Sequence, residues 1–122
     1  MTNKTILTVD DSASVRQVVT IALEAAGYGV VQAADGQEAL VRLKTAPIDL
    51  IITDINMPNL NGIDLIKQVR TMPGYKFVPI VTLTTVTDEA KKQEGRAAGA
   101  TAWIVKPFTP DQLRAVVKKV LG

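Results

Sequence analysis

Neither cysteine nor histidine occurs anywhere in the 122 residues. Without thiols there is no disulfide framework and no thiolate metal site; without imidazole there is no Ser-His triad and no histidine base. Any resident metal must therefore be a hard ion bound through oxygen. Aromatic side chains are scarce too: one Trp, two Tyr and two Phe. They are not interleaved with the basic residues, so nucleic acid is not an expected partner. No apolar run approaches the roughly 20 residues of a membrane span, and the opening Met1-Thr2-Asn3-Lys4 has no signal-peptide character. A cytoplasmic protein without a membrane partner is expected. A GxxxxGK[ST] phosphate loop is also missing, and Gly27-x-Gly29 lacks the third glycine of a dinucleotide fingerprint.

What is present is a fivefold alternation of strand and helix patterns, without repeats or low-complexity linkers, over a length suited to one domain, 1–122. The strands read as Ile6–Val9, Val30–Val31, Leu50–Asp54, Pro79–Thr84 and Ala102–Val105. The first helix carries Val15, Val18, Val19, Ala22, Leu23 and Ala26 at one-face spacing and stops at Gly27. Asp35-x-x-Glu38 forms a capping box for the second, whose inner side is Ala39, Leu40 and Leu43. Gly62 opens the third, with Leu65, Ile66 and Val69 inward. The fourth, near 88–98, has only Ala90, Ala97 and Ala98 as apolar residues and should be the least firmly held. Thr109, Pro110 and Gln112 begin the fifth, which presents Leu113, Val116, Val117, Val120 and Leu121. Near-continuous apolar strands alternating with helices mean an α/β fold, a parallel sheet covered on both faces. Ligands bind such sheets at the carboxyl ends of the strands.

Those ends carry Asp10-Asp11, Asp54, Thr84-Thr85 and Lys106. Each has an ordinary explanation: a turn aspartate, a helix cap, a strand threonine, an exposed lysine. Together they collect three carboxylates, a hydroxyl and an ammonium on one edge. Two like charges about 4 Å apart cost on the order of 4 kcal/mol at an effective dielectric near 20. Convergent carboxylates must then be partly protonated or share a cation, and Mg²⁺ is the expected one. Carboxylates, Mg²⁺, Lys and a hydroxyl are equipment for phosphoryl transfer, and an aspartate can itself accept the group.

Charge is unevenly spread. Residues 1–61 hold four basic and seven acidic side chains, residues 62–122 ten and five. Lys91, Lys92, Arg96, Lys118 and Lys119 in the second half form either a solvated helix surface or a docking face for an acidic partner.

Val9-Asp10-Asp11-Ser12, Asp54-Ile55-Asn56-Met57-Pro58 followed by Gly62, Leu83-Thr84-Thr85 and Val105-Lys106-Pro107-Phe108 resemble the signature of two-component response-regulator receiver domains, in order and across the whole chain. With no output domain following, the resemblance is to the stand-alone chemotaxis type. It implies a flavodoxin-like (βα)5 three-layer sandwich with strand order 2-1-3-4-5. It implies that Asp54 is the phosphoacceptor, charged by the phosphohistidine of a sensor kinase. Asp10, Asp11, Asp54 and the Asn56 carbonyl would make the Mg²⁺ site, Asp10 by orienting a metal-bound water. Lys106, after a cis bond to Pro107, and the Thr84 hydroxyl would bind phosphoryl oxygens. Trp103 stands where the family carries a Tyr or Phe that turns inward with Thr84, shifting the face of helix 4, strand 5 and helix 5. The implied protein is a monomer, not an enzyme beyond its own phosphorylation and dephosphorylation, whose output partner could be the flagellar motor switch. Asn56 and Val86 would flank the hydrolytic water; Val86 cannot orient it, so slow dephosphorylation is expected.

Other readings use some of these parts. A Mg²⁺-dependent aspartyl-phosphate phosphohydrolase wants Asp-x-Asp after strand 1 and a cap domain. A flavodoxin-like flavin carrier wants a hydroxyl-rich phosphate loop where this chain has two aspartates. A metal-free docking module would not need Asp11, Asp54 and Lys106.

Overall fold

Five short, largely apolar segments assemble as parallel strands in the computed structural model, which describes residues 4–57, 60–85 and 89–121. The elements alternate: β1 (Thr5–Val9), α1 (Ala13–Ala25), β2 (Gly29–Ala33), α2 (Gly36–Thr45), β3 (Leu50–Asp54), α3 (Gly62–Thr71), β4 (Ile80–Thr84), α4 (Glu89–Ala98), β5 (Ala102–Val105) and α5 (Pro110–Leu121). The strand order is β2-β1-β3-β4-β5, as the family resemblance implies. β3 and β4 lie in the middle and are buried along their whole length, which is why their sequences are apolar or Thr without alternation.

The strands' two faces build separate cores. Leu7, Val9, Ile51 and Ile80 pack with Ala39 and Leu43 of α2 and with Leu65, Ile66 and Val69 of α3. Ile6, Leu50, Ile52, Val81, Leu83 and Ile104 pack with Val19, Ala22 and Leu23 of α1 and Leu113 and Val117 of α5. The third-helix and second-helix inner faces are those read from periodicity. The first helix differs at both margins of its stripe: Val18 is 46% exposed and Ala26 is exposed. Val18 borders an open groove against Pro107 and Phe108, because α5 begins only after that loop and leaves this edge of α1 uncovered. β2 is also longer than Val30–Val31.

Caps set the helix boundaries. Asp35 accepts from the Glu38 N–H at 2.8 Å, and Thr109 and Gln112 exchange bonds of 3.1 and 2.9 Å. Gly62 opens α3, as read from the sequence, and Asn61 caps it, accepting from the Asp64 N–H at 2.9 Å. At α1 the chain turns at Gly27 (φ 95°), with the Tyr28 N–H donating to the Leu23 carbonyl at 3.1 Å.

α4 is tethered beyond its C-terminal end. Gly95 is its only buried residue. Beyond its last turn, the Gly99 carbonyl accepts from Arg70 at 2.6 Å, and the same guanidinium donates to the carbonyls of Val78 (2.6 Å) and Tyr75 (3.2 Å). Burial lowers the pKa of Arg70. Its charge serves three carbonyls that α3, α4 and the approach to β4 leave without helical partners.

Candidate functional site

The sheet register decides which polar residues meet. Val9 pairs with Thr53, so the next residues along, Asp10 and Asp54, emerge side by side; Asp54 in turn pairs with Leu83, and Thr84 with Val105. Carboxylate oxygens of Asp10, Asp11 and Asp54 all lie within 4.8 Å of one another. Asp10 and Asp54 are 1% and 7% exposed, whereas Asp11 faces solvent. Lys106 Nζ reaches Asp10 Oδ2 at 3.0 Å and Asp54 Oδ2 at 3.4 Å, closing the site from the β5 side.

Local bonds fix these groups. The Ser12 N–H donates to Asp10 Oδ1 at 2.9 Å while the Ser12 hydroxyl accepts from the Val15 N–H at 3.3 Å, so one residue both orients Asp10 and caps α1. Arg16 donates to the Asp10 carbonyl and to Gln32 Oε1. The Asn56 N–H donates to Asp54 Oδ1 at 3.4 Å. Lys106 is positioned by its N–H, which donates to the Thr84 carbonyl at 2.8 Å, and is followed by the cis peptide to Pro107. Behind Asp54 the chain doubles back so closely that a Cβ at Gly62 would stand 2.2 Å from the Asp54 carbonyl oxygen; the Gly62 N–H donates to the Ile55 carbonyl at 2.8 Å. Only glycine fits there.

Burial raises the pKa of Asp54 above its ordinary value, and the charge of Asp10 adds to the rise. Lys106 and the Asn56 N–H oppose it without cancelling it. For Lys106 burial works downward, but its bonds to Asp10 and Asp54 and their charges outweigh it, and the net shift is upward. The donor set is therefore three hard oxygen groups carrying more negative charge than one ammonium neutralises. A hard divalent ion such as Mg²⁺ fits it, with Asp11 the oxygen donor open to solvent.

Thr84 is buried at the end of β4, on the strand next to Asp54. Trp103 stands outside the acidic group. It is half-buried on β5 in register with Thr82, and shares with Thr84 and Ile55 a narrow crevice under α4. Lys92 Nζ and Arg96 Cζ lie 5.3 and 5.0 Å from its ring centroid. Neither cation was singled out for this contact in the sequence, and i, i+4 spacing on α4 was the available signal. Val86, expected beside the hydrolytic water, lies outside the described residues.

Comparison with known proteins gives the same assignment by another route. Residues 6–118 match the model of the response regulator receiver domain. Chemotaxis protein CheY1 of Helicobacter pylori is 40% identical over 119 residues, 96% of each chain. The solved chemotaxis response regulator CheY4 of Vibrio cholerae is 51% identical, with a TM-score of 0.94 over 98% of this chain and 100% of that one. The receiver domain of the Pseudomonas aeruginosa sensor histidine kinase PA1611, solved with a magnesium ion coordinated in its active site cleft, is 26% identical, with a TM-score of 0.90 over 99% of both chains. The chain spans about half the length of other curated relatives that it matches, which are transcriptional regulators.

Proposed function

This chain belongs to the response regulator receiver domain family, the signalling domains of two-component systems, and on that premise we propose that it is a phosphoacceptor charged at Asp54 by a sensor histidine kinase. The observation that carries this reading is Asp54 itself: a carboxylate at the end of a central strand, beside two more carboxylates and 3.4 Å from a lysine ammonium.

An Asp54 carboxylate oxygen attacks the phosphorus of the donor phosphohistidine. The P–N bond breaks, its electron pair returns to the imidazole nitrogen, and an aspartyl phosphate forms. Asp11, Asp54 and the Asn56 carbonyl would hold Mg²⁺, with Asp10 orienting a bound water, and the ion would neutralise the pocket and the phosphoryl oxygens. Lys106 moves from the Asp10–Asp54 bridge to a phosphoryl oxygen, and the Thr84 hydroxyl donates to another. Thr84 then biases Trp103 and the face of α4, β5 and α5, a population shift that an output partner reads.

The finer assignments are part of the same proposal. The chain works as one receiver domain, 1–122, a cytoplasmic monomer that turns over no free substrate beyond its own phosphorylation and dephosphorylation. Chemotaxis is the proposed pathway, with the flagellar motor switch as output partner, on the 51% and 40% identity to the chemotaxis proteins CheY4 of Vibrio cholerae and CheY1 of Helicobacter pylori. Val86 has no group to hold a hydrolytic water, so Val86→Glu should shorten the life of the phosphorylated form.

Acetyl phosphate with Mg²⁺ tests the reading directly. The intact mass should rise by one phosphoryl group, and Asp54→Asn or chelation of Mg²⁺ should abolish the rise. No gain, or a gain indifferent to Asp54→Asn, overturns it.

A further inference from the structure

Trp103 is the chain's one tryptophan, and two cations of α4 lie against its ring. Lys92 and Arg96 are four residues apart and so share one stripe of the helix. Their attraction for the negative face of the indole is a specific restraint on where the ring rests. Lys92 is largely covered, and its ion pair with Glu89, at 3.7 Å, ends on a side chain that is 78% exposed, which leaves the ring as the principal neighbour of its charge.

Beside the indole is the crevice it shares with Thr84, Ile55, Gly95 and Lys92, too narrow for a water molecule. The ring cannot enter it while α4 stays in place. Gly95 is the buried residue of α4, in the middle of the helix, where glycine is destabilising relative to alanine. Nothing in this arrangement requires it. Its φ is not in the left-handed range, and an added Cβ would meet no atom within 4 Å. That contrasts with Gly62, which has no room at all. A glycine that its present surroundings do not demand is explained by another arrangement that does.

We infer that Lys92 and Arg96 clamp Trp103 in its resting position, and that Gly95 keeps room for the indole when it turns toward Thr84. Both cations are positioning residues: they act on Asp54 only through the ring and α4. The inference rests on the phosphoacceptor reading for what triggers the turn, but not for the clamp itself. Releasing two cation–π contacts should move the resting ratio of inward to outward indole about tenfold.

The test uses tryptophan emission and acrylamide quenching of the full chain, with phosphoryl content read by mass on the same samples. Wild type is expected to change emission in proportion to the phosphorylated fraction on addition of acetyl phosphate and Mg²⁺. Lys92→Met with Arg96→Met keeps the aliphatic cover, and its resting emission should already lie toward the phosphorylated wild-type value. Gly95→Ala should melt higher, take up phosphoryl normally and show a blunted emission change. Resting emission of the double variant identical to wild type overturns the clamp, and a full emission change in Gly95→Ala overturns the reserved space. Absence of mass gain in wild type is a separate outcome. It overturns the phosphoacceptor reading, while the resting emission of the double variant still decides the clamp.

Discussion

Removing the ammonium of Lys106 should destabilise the metal-free protein more than any other single charge deletion at the site. At 3.0 and 3.4 Å from Asp10 and Asp54, its attractions amount to about 5 kcal/mol each at an effective dielectric near 20. The Asp10–Asp54 repulsion, across at most 4.8 Å, is at least about 3.5 kcal/mol on the same scale. Desolvation of the ammonium offsets much of the attraction, so the expected net loss for Lys106→Met at pH 7 is about 3–5 kcal/mol, the range for breaking a buried pair by removing one partner. The side chains are 17%, 1% and 11% exposed, so solvent screening trims this figure little. At roughly 3–5 °C per kcal/mol for a chain of this size, the melting temperature should fall by about 10–20 °C. The pH dependence has a definite sign. Lys106 has a raised folded pKa, so its contribution is complete below the ordinary 10.5 and disappears as pH climbs through the raised value. Toward acid, Asp54 protonates above its ordinary 3.8, and one arm of the bridge goes with it. The gap between variant and wild type should therefore be widest near neutrality and close at low pH. Saturating Mg²⁺ should narrow it, and the variant should bind Mg²⁺ more tightly because no lysine competes. Thermal melts at pH 3, 5 and 7, with and without Mg²⁺, measure the acid side of this and the metal dependence. A loss below about 1 kcal/mol at pH 7, or one indifferent to pH and Mg²⁺, would refute the reasoning.

Asp54→Asn should melt higher than wild type without metal at pH 7, because a group with a raised folded pKa stabilises fully only below its ordinary 3.8 and less as pH rises; the gap should vanish below about pH 4, and added Mg²⁺ should favour wild type. Gly62→Ala puts a methyl 2.2 Å from the Asp54 carbonyl oxygen, so urea titration should show a loss of more than about 3 kcal/mol together with weakened Mg²⁺ binding, and an unchanged midpoint would contradict the packing described. Arg70→Met takes the guanidinium from the Gly99 and Val78 carbonyls and from that of Tyr75, which keeps the Val78 N–H, and should cost about 2–4 kcal/mol while leaving the mass gain with acetyl phosphate intact.

Polar residues closing apolar strands were visible in the sequence because a buried parallel strand tolerates them only where it leaves the core. Asp10, Asp54, Thr84 and Lys106 could thus be placed on one edge before any coordinates. Strand order could not be read the same way. Five apolar strands look alike, and it was the family resemblance, not periodicity, that put β1 beside β3 and so Asp10 beside Asp54. The contact of Lys92 and Arg96 with Trp103 was hidden for another reason: a charged helical stripe has the composition of a solvated face, and only the path of α4 over β5 turns it into ring cover. Gly62 was legible as a helix start, but its contact with the Asp54 carbonyl depends on a loop conformation that no spacing encodes. Val18 shows the converse, an apolar position on the right face whose covering helix begins too late.

The Arg70 tether has a mechanical consequence. A rod pinned at one end converts a push along its length into rotation, with travel growing with distance from the pin. α4 is pinned just past its C-terminal end, at the rim of the sheet opposite Asp54. Displacement beginning at the acidic rim would be spent there, and the opposite rim would serve as the fixed frame against which it is measured.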